Sequence, residues 1–479
     1  MLRSAVALMA PISGIIYVLS LIVLLAGCER SPSVDRLVGD AQQYRQRGET
    51  QAAIIQLKNA IQKDPEYHQA RIALGRIYLD IGNPLSAEKE FRKALSLGAT
   101  PSEIMPQLGK SMLMLGRADQ LLAELQQGQA NDGRPELRAL RAHALLATGK
   151  IEESRELFAN ILKNDPDFAG ALLGLAKIAI ASNQFDRATT LLKQGLKKNE
   201  NDIDILLLHG DLLSLLGNSD QARLNYGMVL KLLPDNIQAH IDIANLDGNS
   251  GRFDDARSHI SAARKIAPIS LQVIQAQALL DFREGKFEAA RDLLQKVVLA
   301  APNHMPSILL MGAVQLALGS PQQAEQYLLK FIQENPKHID ANKMLAGIKL
   351  RAGQPEAAIA IINPLLENNP DDMQLLALAG EVELFGKHFS KAAEYLRRAS
   401  KLAPKVAPIH TALAVSLLGI DKTELAIIEL ERANSLDSTN LKAAIMLVMA
   451  HLRAKENDKA MLQIELIEKQ HASTRWYII

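Results

Sequence analysis

The chain of 479 residues is nearly charge-balanced, with 54 Lys and Arg against 53 Asp and Glu, and is 48% hydrophobic but only 4% aromatic. The balance excludes the basic footprint that bulk capture of nucleic acid requires, and an apolar fraction built from Ala, Leu and Ile favours packed helices over a β-sandwich or barrel. A single cysteine excludes an internal disulfide framework and a thiolate-rich zinc site.

In chain order, the first feature is an uncharged run from Ser4 to Cys28, flanked by Arg3 and by Glu29-Arg30. It is long enough to cross a bilayer. Pro11, Ser13, Gly14 and Ser20 interrupt it, however, and its strongest stretch, Ile12–Ala26, has the size of an export-signal core. The run ends Leu25-Ala26-Gly27-Cys28. This tetrad resembles the bacterial lipobox, which implies a signal peptide over 1–27, diacylation of Cys28 as the mature N-terminus, and a short tether over 28–33. An uncleaved membrane anchor is the alternative reading. Two or more acyl chains hold a protein firmly where one does not. Glu29 stands where an Asp would mark retention in the inner membrane, so the same resemblance implies the periplasmic face of the outer membrane.

From Val34 onward a period of 34 residues organises the chain, most plainly in Pro234, Pro268, Pro302, Pro336, Pro370 and Pro404. Thirteen units fill residues 34–474, one of them a residue short. Position eight is small in twelve of the thirteen, from Ala41 and Gly75 to Ala414, with Val448 the exception. Position twenty is Ala in eleven, and a larger residue such as Phe91, Phe158, Tyr226 or Leu396 is usual four places later. Small residues at fixed places on two successive helices let their backbones approach. Breaks such as Gly82-Asn83, Gly217-Asn218 and Gly353-Gln354 end the first helix, and Pro or polar clusters end the second. Units three and four carry Leu121 and Ser154 at position twenty, with Pro101, Pro106 and Gly133 nearby, so an irregularity is expected near 99–135. The tail over 475–479, Arg475-Trp476-Tyr477-Ile478-Ile479, reads either as a hydrophobic lid on the last repeat or as a docking patch.

This pattern resembles the tetratricopeptide repeat, with Gly75, Tyr78, Ala87, Phe91 and Ala94 after Pro65 carrying the likeness most closely. The resemblance implies an all-α fold, an α-solenoid coiled as a right-handed superhelix of about thirteen helix pairs. It also implies a concave face lined by the first helices at positions two, five, nine and twelve. Carried over, those positions offer polar candidates Gln69, Arg76, His143, Lys177, Asp211 and Asn245, with Asp204, Gln238 and Asp242 beside them. From the ninth unit onward they offer apolar candidates Leu309, Ala313, Val415, Ile445 and Met449. Such residues either pack inside a tight superhelix or form a groove for a protein or peptide ligand. The carboxylate clamp of some family members is absent, because its positions hold Val38, Gln42, Ile72 and Arg76.

Other motifs point to no chemistry. Gly109-Lys110-Ser111 lacks the glycine and the strand of a phosphate loop. His304 and His338 read as a repeated turn residue, and Asp254-Asp255 as favourable charges at a helix N-terminus. No catalytic residue, cofactor or metal is expected. The lipobox, the short tether and the long array, with Ala52-Ala53-Ile54-Ile55-Gln56-Leu57-Lys58-Asn59-Ala60 and Lys63-Asp64-Pro65, together resemble the repeat lipoprotein of exosortase (PEP-CTERM) systems. That implies a non-enzymatic periplasmic scaffold in exopolysaccharide secretion or PEP-CTERM protein sorting, with an outer-membrane secretion component as partner. The alternative is a periplasmic chaperone or binding module for exported or outer-membrane proteins.

Overall fold

Each 34-residue unit becomes a helix pair. In twelve of thirteen units the first helix begins at the first residue of the unit, as in Val34–Gln46, His68–Asp80 and Leu441–Arg453. The third begins one residue early, Pro101–Met114, because proline suits the first turn of a helix, where its missing N–H would have no partner. The computed structural model describes residues 32–127 and 134–472. Among these are 26 helices and no strand. The uncharged N-terminal run read as a signal peptide, Cys28 with Leu25, Ala26 and Gly27, and the tail with Trp476 lie outside the described residues. Contacts divide the chain into two units, one ending at Arg283 and the other starting at Glu284.

The turn inside each repeat has one demanding position. All thirteen residues at position fifteen have a positive φ, between 57° and 79°. Nine are glycine, and the other four are Asn183, Lys387, Asp421 and Lys455. The left-handed conformation lets the next N–H reach back to the first helix, as from Asn83 to the Tyr78 carbonyl (2.7 Å) and from His388 to that of Glu383 (2.8 Å). This satisfies carbonyls that the helix end leaves free.

The packing explains the small residues. All thirteen side chains at position twenty are buried, and so is position eight in every repeat except the last, where Val448 is half-buried. At Gly75 an added Cβ would stand 2.7 Å from the ring of Phe91, at Gly210 2.4 Å from Tyr226, and at Gly380 2.4 Å from Leu396. Position eight thus gives up its side chain to admit the bulk of position twenty-four. Where position eight is Ala, as at Ala41 and Ala176, the partner is the slimmer Leu57 or Leu192. Phe158 faces Ala142 but sends its ring against Gly174 of the next repeat.

The irregular repeats resolve physically. Leu121, on the helix Ala118–Gln127, is fully buried among Phe91, Ile104 and Leu108. Ser154 is buried too, and its hydroxyl donates to the Ala142 carbonyl at position eight of its own repeat (2.7 Å). Pro106 sits within an unbroken helix.

The first unit also folds back on itself. The Thr50 N–H donates to the Asp235 carboxylate (3.2 Å), and the Gln51 amide donates to the Ile266 carbonyl (2.8 Å). One apolar cluster runs from Leu37, Ala53 and Ile77 to Ile241, Ile260 and Leu280. Repeats one and two therefore return against repeats seven and eight, and the turn of the superhelix is tight.

The concave faces as candidate sites

In the first unit the tight turn draws polar first-helix residues around one chamber of about 750 Å³, lined among others by Arg45, Arg76, Asp80, Gln107, Lys110, Asp204, Gln238 and Gln272. Ion pairs span it. The Lys110 ammonium donates to both oxygens of Asp204 (2.9 and 2.8 Å), Arg45 pairs with Asp80 (2.5 Å), and Arg76 with Glu103 (3.8 Å). Lys110 joins repeat three to repeat six, 94 residues apart in sequence. The lining is thus largely neutralised by its own charges. The Gln107 side-chain oxygen, Oε1, is buried with no partner.

Further candidates surround the chamber electrostatically. His143 donates from Nε2 to the Gly170 carbonyl (3.1 Å) and meets the Phe158 ring edge-on at 4.8 Å. Burial, then the neighbouring Lys177 charge, pushes its pKa down to about 4, so the ring is neutral. Lys177 is itself held low by burial, against the opposing pull of Asp204 and Asp211. Asp211 accepts the Tyr226 hydroxyl (2.8 Å). Burial raises the Asp211 pKa, which that hydrogen bond and Lys177 moderate. Asp242 accepts from the Gln238 amide (2.8 Å) and keeps its second oxygen buried without a partner. Burial and the Asp211 charge lift its pKa to about 7. Asn245 accepts from Arg283 (3.3 Å), while Gln69 is exposed.

The second unit carries the apolar face. Leu350, Leu384, Phe385, Thr411, Ala412, Val415 and Met446 line a groove of about 500 Å³, together with Glu381, Asn440 and Lys442. Position twelve is leucine in all five repeats there: Leu316, Leu350, Leu384, Leu418 and Leu452. Of the apolar candidates, Val415 lines this groove, and Ile445 and Met449 are exposed on the last first helix together with Leu452. Leu309 instead packs half-buried on the cluster of Ile308, Leu328 and Ile348, and Ala313 is half-buried beside it in sequence. Lys343, Glu381 and Lys442 occupy the same register, so charged residues stand among these apolar candidates. Burial raises the Glu381 pKa against the pull of Lys442.

Sequence reasoning passed over Lys110, which falls at position nine of its repeat and was legible there, and the leucines of position twelve. Arg45, at position twelve of its repeat, was legible in the same way, but there was no signal for Asp80, at position thirteen, which enters the chamber only because the turn is tight. His338 caps the next helix through Nδ1 to the Ala341 N–H (3.2 Å), and His304 contacts Ser307 Oγ (2.8 Å), so both are turn residues. Among the described residues no group of three or more His, Cys, Asp or Glu could share a metal ion, and no helix is long and apolar enough to cross a membrane.

The family profile described as Tetratricopeptide repeat matches residues 44–104, 145–212 and 327–381. These are tetratricopeptide repeats. The crystal structure of the APC/C hetero-tetramer Cut9-Hcn1 has the same fold at 14% identity, with a TM-score of 0.51 over 90% of this chain and 98% of that one. Human Protein O-mannosyl-transferase TMTC1 is 24% identical over 192 residues, 39% of this chain and 22% of that protein. Protein CTR9 homolog of Arabidopsis thaliana is 31% identical over 108 residues, 22% of this chain and 10% of its own length. The chain therefore spans between a tenth and about a fifth of these curated relatives. As a tetratricopeptide array, the protein has the fold of a protein–protein interaction scaffold.

Proposed function

We propose that the protein is a non-enzymatic scaffold that takes a protein ligand along the apolar concave groove of its second unit. The observation that carries this is the run of Leu350, Leu384, Val415 and Met446 in one open groove, with Glu381 and Lys442 also in its lining. Apolar anchors beside a few charged groups bind a segment by burying its apolar side and orienting its charges. A photo-crosslinking residue at Val415, introduced in cells, should trap a discrete protein partner. The same residue at exposed Lys391, on a second helix, should not. No product from position 415 would sink the reading.

We further propose that Cys28 is lipidated and holds the array on the periplasmic face of the outer membrane, serving exopolysaccharide secretion or PEP-CTERM protein sorting. The support is in the sequence: Leu25-Ala26-Gly27-Cys28 after an uncharged run, followed by Glu29. Wild type should incorporate labelled palmitate and fractionate with outer membrane, and Cys28→Ala should do neither. A wild-type protein that takes up no label and retains Met1 would replace lipidation with an uncleaved anchor. The second reading, a chaperone or binding module for exported or outer-membrane proteins, draws on the exposed Ile445, Met449 and Leu452 of the last repeat. A ladder of many crosslinked clients at position 415, in place of one partner, would favour it.

A further inference from the structure

Repeat seven is where the first unit closes, and it holds an unusual pair of histidines. Position four of a repeat recurrently bridges two elements. Arg71 pairs with Glu90 at position twenty-three (2.9 Å) and donates to the Pro65 carbonyl (3.3 Å). His410 contacts Glu429 at the same two positions (2.6 Å) and the Pro404 carbonyl (3.2 Å). Asn342 donates to the Pro336 carbonyl (3.0 Å). In repeat seven the pair is His240 and His259, Nδ1 to Nδ1 at 3.0 Å, with His240 Nε2 at 3.0 Å from the Pro234 carbonyl.

Hydrogen bonding assigns the protons. A carbonyl only accepts, so His240 carries its hydrogen on Nε2 and presents a bare Nδ1. His259 must then donate from Nδ1. A first added proton, on His259 Nε2, leaves both bonds intact. A second has only His240 Nδ1 to occupy, and it sets two N–H groups and two positive charges face to face at a distance suited to one hydrogen bond. The groups around the pair are Asp235 in the preceding loop, Arg223 on the helix Ser219–Leu232, and Asp255 on the helix of His259 itself. Burial lowers the pKa of both rings first; Asp235 and Asp255 oppose this, and Arg223 adds to it at His259.

The loop that His240 holds is the one that seats repeat one. A Cβ at Gly48 would stand 3.3 Å from the ring of Pro234, and Asp235 accepts the Thr50 N–H. The seam crevice beside them is lined by Glu49, Gln51 and Lys265 among others. Thr50 is the first residue of its helix, so its N–H has no intrahelical acceptor.

We propose that His240 and His259 form an acid-operated latch: doubly protonated, the rings separate, the Pro234–Asp235 loop shifts, and repeat one swings away from repeat seven, opening the polar chamber. The sign follows from linkage. Both rings bind protons less readily in the closed state, so closure is favoured above the ordinary histidine pKa of about 6.5 and weakens as pH falls below it.

The test uses the full chain with Cys28→Ser and spin labels at Lys58→Cys and Ser261→Cys, both on exposed sites either side of the seam. At pH 8 the pulsed electron resonance distance should be single and narrow. At pH 5 a longer, broader population should account for most molecules. His240→Asn with His259→Gln keeps the carbonyl bond, as Asn342 does, without titrating, and should stay narrow at pH 5. His259→Glu, which copies the His410–Glu429 pair, should also stay closed and guards against misfolding of the double variant, with helicity at pH 8 checked for each. A wild type whose distance is unchanged between pH 8 and pH 5 would overturn the latch. Opening of the folded variants in step with wild type would equally overturn the histidine assignment.

Discussion

Replacing Gly75 with Ala tests the packing rule at the heart of each repeat. The new Cβ would lie 2.7 Å from Cε1 and 2.9 Å from Cζ of Phe91, a ring with no exposed surface on which to retreat. Relief needs a shift approaching 1 Å in a close-packed interior, an overpacking cost of about 1–3 kcal/mol. Alanine in mid-helix returns about 1 kcal/mol, so the net loss should be at most about 2 kcal/mol. Phe91→Leu alone should cost about 1–1.5 kcal/mol through the space it leaves. Together the two changes recreate the Ala41–Leu57 and Ala176–Leu192 arrangements, which are buried elsewhere in the same chain. The double variant should therefore be at least about 1 kcal/mol more stable than the sum of the single changes. Denaturant unfolding followed by circular dichroism measures the totals. Hydrogen exchange in residues 68–96 localises the loss, because neighbouring interfaces carry stability in repeat arrays. Strict additivity of the two changes would refute the pairing of positions eight and twenty-four.

Three further outcomes follow from particular sites. Leu121→Ala restores the residue found at position twenty in eleven other repeats, yet it should destabilise by about 2–4 kcal/mol in denaturant, since Leu121 is fully buried among Phe91, Ile104 and Leu108 and its loss leaves a cavity. Lys387→Gly and Lys455→Gly, at φ of 59° and 61°, should each raise stability by roughly 0.5–1 kcal/mol in the same assay, because glycine removes the Cβ clash of the left-handed conformation. For Asp242, lifted to about 7 in the fold from a free value near 4, the folded state binds the extra proton. Its stabilising contribution is therefore full below about pH 4 and declines as pH rises through 7. Asp242→Asn should melt higher than wild type at pH 8, with the gap closing toward pH 4; a gap that widens on acidification would contradict the sign.

The period, the helix pairs and the turn inside each repeat were written in the sequence because each depends on residues a few places apart. Position eight must clear space for position twenty-four, and position fifteen must turn left-handed, whatever the rest of the chain does. The same local logic marks Leu350, Leu384 and Val415 for one face, since the register alone assigns them to it. The closure of the first unit was not legible. Thr50 meets Asp235 across 185 residues and Gln51 meets Ile266 across 215, and such meetings depend on a small rotation per repeat summed over six interfaces. A slight change in side-chain bulk at each interface alters that sum, so no single residue announces it. That accumulated rotation, and not residue type, decided that Lys110 and Asp204 face each other, that Asp80 joins them, and that polar residues of the first unit line one chamber.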